Sequence, residues 1–123
     1  MGRCRVVTPK IDRIPLSDGD YLDVTHELNA GQYVDMLRQL ADRVSFAKPI
    51  AYIVGWSLVG ADDQPLPYDL DLPEPVRRQT LGALDKATMR EIAAALDKHE
   101  AAEAAAVEAK KKTSDSLLVS SAP

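Results

Sequence analysis

Two short runs carrying most of the local apolar residues, 11–16 and 21–24, lie on either side of Ser17-Asp18-Gly19-Asp20. A polar turn with a glycine available for positive φ, set between two such runs, predicts a β-hairpin. Ile14 and Leu16 share one parity and Leu22 and Val24 the matching one, so one face is apolar while Arg13, Asp20 and Asp23 stay in water. A two-stranded ribbon is marginal by itself, so this one must lie on helices or on a neighbouring subunit. Arg5-Val6-Val7-Thr8 offers a third strand, which Pro9 would stop.

Beyond the hairpin the period changes. Asn29 stands three residues before Gln32, the reciprocal N-cap arrangement in which each side chain takes an orphan amide. Tyr33, Met36, Leu37, Leu40 and Val44 follow at helical spacing, with Asp35, Arg38, Gln39 and Asp42 opposite, which predicts an amphipathic helix ending before Pro49. The most apolar run, 50–58, is too short for periodicity to separate a buried helix from a buried strand. Ile50, Ile53, Val54 and the Trp56-Ser57-Leu58 group crowd one side at helical pitch, which favours a helix with Gly60 as its C-terminal cap. Four prolines among carboxylates make 60–75 a long connection. A short helix is expected over 76–84, and Asp85 with Thr88 opens the last one, whose inner side carries Met89, Ile92, Ala93 and Leu96.

After Leu96 that stripe thins to alanine. If helical to Lys112, the segment is about 40 Å long at about 1.5 Å per residue, more than so small a domain is expected to cover. Glu100, Glu103 and Glu108 precede Lys110-Lys111-Lys112, an order that suits the helix dipole. The expected organisation is an α+β, helix-dominated single domain over 1–100, an N-terminal β-hairpin followed by about four α-helices. A projecting Ala/Glu/Lys helix end follows over 101–112 and a flexible, disordered C-terminal tail over 113–123, where Leu117-Leu118-Val119 is either an unused end or a short docking motif.

With 123 residues the chain fits one domain. A net charge of −4 and a pI near 5.1 argue against phosphate-backbone binding, so nucleic acid is not an expected partner. The single cysteine, Cys4, allows no internal disulfide and no thiolate zinc cluster, which suits a reducing compartment. The run from Ile50 to Val59, which contains Gly55 and Ser57, is about half of what a bilayer requires, and Val6 stands where a myristoylation signal wants Ser or Thr, so no membrane association is expected. His26 and His99 lack a third ligand nearby and read as surface or capping residues. Asp18 and Asp20 flank a turn without the spacing of a calcium loop. Asp62, Asp63, Asp69 and Asp71 occupy a solvated loop with no desolvating wall. Ser57 misses the second glycine of a nucleophile elbow, and its hydroxyl is expected to bond the preceding helical turn. The expected catalytic, cofactor and metal residues are therefore none, and the chain is not read as an enzyme. Trp56 is either a core anchor or an interface hot spot.

The succession Ile14-Pro15-Leu16-Ser17-Asp18-Gly19-Asp20-Tyr21-Leu22-Asp23-Val24, Glu27-Leu28-Asn29-Ala30-Gly31, Ala51-Tyr52-Ile53-Val54-Gly55-Trp56-Ser57-Leu58, Ala83-Leu84-Asp85, Glu91-Ile92 and Leu96-Asp97-Lys98-His99-Glu100 resembles small tail assembly chaperones of long-tailed bacteriophages. It spans roughly residues 13–100, and none of its motifs is catalytic. The resemblance implies a partner, the tape-measure protein, whose helical apolar segments are kept soluble in the host cell cytoplasm while the tail tube assembles. It also implies a longer form made by a programmed frameshift near the lysine triplet, through which the major tail protein would be reached, and it admits self-association. A client helix asks for Leu, Met and aromatic anchors, and Met36, Trp56, Met89 and Leu96 are the expected partner-binding residues. The alternative is a small virion structural protein of the tail or the head-tail junction, whose hairpin would complete a neighbour's sheet.

Overall fold

A computed structural model describes the backbone of residues 4–120 and the side chains of 4–110. The order is β1 (Ile11–Pro15), β2 (Tyr21–Thr25), α1 (Ala30–Ala41), α2 (Ala47–Tyr52), β3 (Ile53–Trp56), α3 (Glu74–Gly82) and α4 (Lys86–Ser120). This is a helix-dominated α+β fold with four helices and one antiparallel sheet in the order β1-β2-β3.

The hairpin forms in the register that alternation dictates, with Ile14 opposite Leu22 and Arg13 opposite Asp23. Its tip places Asp18 at φ 59° and Gly19 at φ 79°, the two successive positive angles that a tight hairpin turn requires and that Asp and Gly tolerate best. Leu22 and Val24 are wholly buried. On the opposite face Arg13 Nε donates to Asp23 Oδ1 at 2.9 Å, and its guanidinium lies 3.7 Å from the Tyr21 ring centre.

The third strand comes from an unexpected place. Arg5-Val6-Val7-Thr8 makes no strand, and the helix expected over 50–58 ends at Tyr52, where the chain turns extended and pairs with β2. Leu22 faces Trp56 and Asp23 faces Gly55, but Val24 faces Ile53, so one residue bulges at the turn from helix to strand. Ile53 and Val54 are β-branched and Trp56 is aromatic, types that fit a pleated surface, and the central strand β2 needed a second partner. Gly60 caps no C-terminus and instead precedes the short 3-10 turn Ala61–Asp63. It sits at a tight turn, where an added Cβ would come within 2.9 Å of Leu66.

The helix starts follow the sequence. Asn29 accepts from the Gln32 amide and Gln32 returns a bond to the Asn29 amide, each at 2.9 Å. Asp85 accepts from the Thr88 amide at 2.7 Å, a bond that holds its carboxyl below the usual range. One buried cluster, with Leu22, Val24, Tyr52, Ile53, Leu81, Ile92 and Leu96 at its centre, joins sheet and helices. Ser17, at the hairpin tip, donates through its amide and its hydroxyl to Glu91 on α4, both at 3.1 Å.

Past Leu96, α4 does not simply project. His99 Nε2 lies 2.9 Å from the Thr25 carbonyl, Glu103 accepts from Tyr52 Oη at 2.7 Å, and Lys110 reaches Glu27 at 3.6 Å. The contacts along 101–110 are largely polar, which is why an apolar-stripe reading ends the packed region too early. Of the loose tail expected over 113–123, the backbone to Ser120 continues α4, and its side chains and residues 121–123 lie outside those described.

Candidate functional site

α1 turns its apolar side toward solvent. Tyr33, Val34, Leu37 and Leu40 span an arc of roughly 120° at about 100° per residue, and Val44 follows past the helix end, beyond the left-handed Arg43. That arc is not buried, each of the five retaining between 39 and 50 % of its exposure. The helix rests on the domain instead through Met36, about a quarter turn away, and through Gln39, whose side-chain oxygen accepts from Arg78 at 2.5 Å. Five apolar side chains at helical spacing would ordinarily be taken as a core face, and sequence pattern alone has no means of telling which neighbour covers a stripe.

Two clefts flank this helix. One, of about 250 Å³, lies between Leu40 and Val44 on the α1 side and Met89, Ala93 and Leu96 on α4. The other, of about 680 Å³, lies between Ala30 and Tyr33 on α1 and Glu103, Ala104 and Val107 on α4, with Val6 and Val7 at its side. Tyr52 and Lys48, both on α2, form part of the floor. Lys48 Nζ bonds Asp97 at 2.9 Å and lies 3.5 Å from Glu100, and the Asp97 bond is the main reason its ammonium is held above the usual lysine range. Burial pushes the Tyr52 phenol up, so it keeps its proton and donates to Glu103.

The expected partner-binding residues separate on inspection. Met36 and Leu96, at 3 % and 0 % exposure, are core residues closed to direct contact with a partner. Met89 is half-buried and lines the smaller cleft. Trp56 packs on the cluster, its ring centre 4.5 Å from that of Tyr68 and its Nε1 donating to the Leu66 carbonyl at 3.0 Å. Replacing Trp56 with alanine is expected to cost about 2–3 kcal/mol, read as a lowered urea midpoint, because it removes a large packed ring. The exposed stripe Tyr33, Val34, Leu37, Leu40 and Val44 takes the place of those candidates; the face read from the sequence held four of them together with Met36, which is buried, and lacked Val34.

Other chemistry-bearing residues have local duties. Ser57 Oγ donates to Asp20 at 3.0 Å and accepts from the Tyr21 amide at 2.9 Å, so it ties β3 to the hairpin and bonds no helical turn. Asp69 accepts from the amides of Asp71 and Leu72 in its own loop. The two histidines, distant in sequence, have ring centres 6.4 Å apart, with His26 Nδ1 2.5 Å from Asp12. Among the described residues no group of three or more His, Cys, Asp or Glu is placed to hold a metal ion. No helix among them is long and apolar enough to cross a membrane. Comparison of the chain with protein-family models, with curated proteins and with solved structures gives no match.

Proposed function

We propose that this chain is a non-enzymatic tail assembly chaperone of a long-tailed bacteriophage, which binds the tape-measure protein in the host cytoplasm and keeps it soluble until the tube forms around it. The observation that carries the reading is the outward-facing stripe of α1. A monomer rarely leaves an ordered row of large apolar side chains in water unless something is to be bound there, and a helix face with leucine-sized anchors is suited to another helix. The resemblance in residues 13–100 supplies the identity of the client, and a helical apolar client is the kind such a face recognises.

The test is co-expression with the tape-measure protein of the same phage. The expected result is that the client moves from the pellet to the soluble fraction and co-purifies with this chain, while purified phage particles lack it. A client that stays insoluble at equal expression would overturn the reading. Fixed stoichiometry of this chain in washed particles would transfer the assignment to the structural-subunit alternative.

A further inference from the structure

We infer that the groove between α1 and α4 seats one amphipathic helix of the client, carrying a Lys or Arg near its middle over Asp97 and Glu100. The inference rests on the chaperone reading for the client's identity, and on the groove itself for the chemistry.

The two clefts share their walls. Ala30 and Tyr33 stand across from Glu103 and Val107, while Leu40 and Val44 stand across from Met89 and Ala93, so α1 and α4 flank the groove in opposite directions. Lys48 and Asp97 line one cleft and Glu100 the other, which places their ion pair where the two meet. From Met89 to Lys110 the α4 wall is about 32 Å long at about 1.5 Å per residue, room for a helix of about four to six turns.

Area decides between occupants. From their exposed fractions, the five stripe residues leave roughly 400 Å² of surface in water, the size of a patch that is often functional. Two copies pairing through it would bury about 800 Å² in total, short of the roughly 1,200 Å² at which stable interfaces begin. Of the stripe, Tyr33, Leu40 and Val44 line the clefts, and a helix laid in the groove touches them together with the α2 floor and the α4 wall, burying surface on three elements at once.

Charge decides what that helix carries. Around the clefts four carboxylates, Glu27, Asp97, Glu100 and Glu103, face three cations, Arg5, Lys48 and Lys110. Glu27 pairs with Lys110, and Glu103 is held by Tyr52. Asp97 and Glu100 share the Lys48 ammonium, and with Arg5 in the larger cleft three cations stand against four carboxylates; Glu100 Oε2, 3.5 Å from Lys48, is buried, while the Asp97 carboxylate stands open to the groove. A second cation arriving over the exposed Asp97 carboxylate, with Glu100 one turn on, balances the excess, whereas a carboxylate arriving there meets two of its own sign.

The probe is a synthetic amphipathic helix of about five turns with a leucine stripe and a central Arg, titrated against the full chain beside a peptide with Glu at that position. The Arg peptide is expected to bind at least about tenfold more tightly, a preference that Asp97→Asn with Glu100→Gln should largely remove. Ala93→Arg, at an exposed groove position, should abolish binding, while Leu70→Arg, on an exposed loop away from it, should not. Equal affinity for both peptides, no binding of either, or binding indifferent to Ala93→Arg overturns the inference, as does a concentration-dependent dimer that Ala93→Arg dissolves. Co-expression separates this from the function: a tape-measure protein kept soluble by the Ala93→Arg variant as well as by the parent removes the groove and leaves the chaperone standing. A client that neither keeps soluble removes the chaperone reading, and the peptide titration then decides the groove by itself.

Discussion

Leu96→Ala is expected to lower the stability of the domain by about 3–4 kcal/mol, near the middle of the range for a buried leucine. Leu96 is wholly buried beside Ile92 in the cluster that also holds Leu22, Val24 and Ile53. Shortening it opens a cavity where α4 meets the other elements, and the sheet supplies little slack for collapse. A domain of this size has about 5–15 kcal/mol in all, so the variant should show a markedly lower urea midpoint with an unchanged slope. Client binding measured well below that midpoint should survive, since Leu96 supports the groove from beneath. A loss of less than about 1 kcal/mol would mean that α4 is not seated on the sheet as described.

The opposite result is expected one helix away. Changing Leu37 and Leu40 together to Asp should leave the melting temperature within a few degrees, because both side chains are already more than two-fifths exposed. Burying two carboxylates against an apolar client is another matter, since each would have to be desolvated without a partner. Binding of the tape-measure protein is expected to fall at least about 100-fold, a loss of about 2.7 kcal/mol or more. The measurement is pull-down of the client together with a thermal melt of the free chain. Retained binding with an unchanged melt would remove the α1 stripe from the function.

The two variants also mark how far the sequence could be read. Period and capping are local properties, and they located the hairpin, the Asn29 start, the Asp85 start and the α4 stripe of Ile92 and Leu96. Which side of an amphipathic helix meets the domain is a tertiary property, and so Met36, read on one face with Tyr33, Leu37 and Leu40 and as a docking residue, is buried while the other three are exposed. The segment from Ala47 to Trp56 holds both a short helix and a strand, and no window over so short a run separates them; the demand of β2 for a second neighbour did. The polar seam of His99, Glu103 and Lys110 escaped because it is built from hydrogen bonds and ion pairs between residues far apart in the sequence, where apolar patterning is silent. Of the groove, one wall was legible as Met89 and Ala93, but the facing of the other wall was not.

The bonds that close the hairpin onto the last helix join residues 74 apart, as in Ser17 to Glu91 and Thr25 to His99. A ribosome releases the chain from its first residue onward, so Leu22 and Val24 emerge long before Ile92 and Leu96, which are to cover them. The sheet therefore cannot be sealed until nearly the whole domain has been made, and closing so long a loop defers the gain in contacts until its entropy has been met. Between the appearance of the hairpin and that of its cover, its own apolar strands stand as uncovered as the client the protein is proposed to shelter.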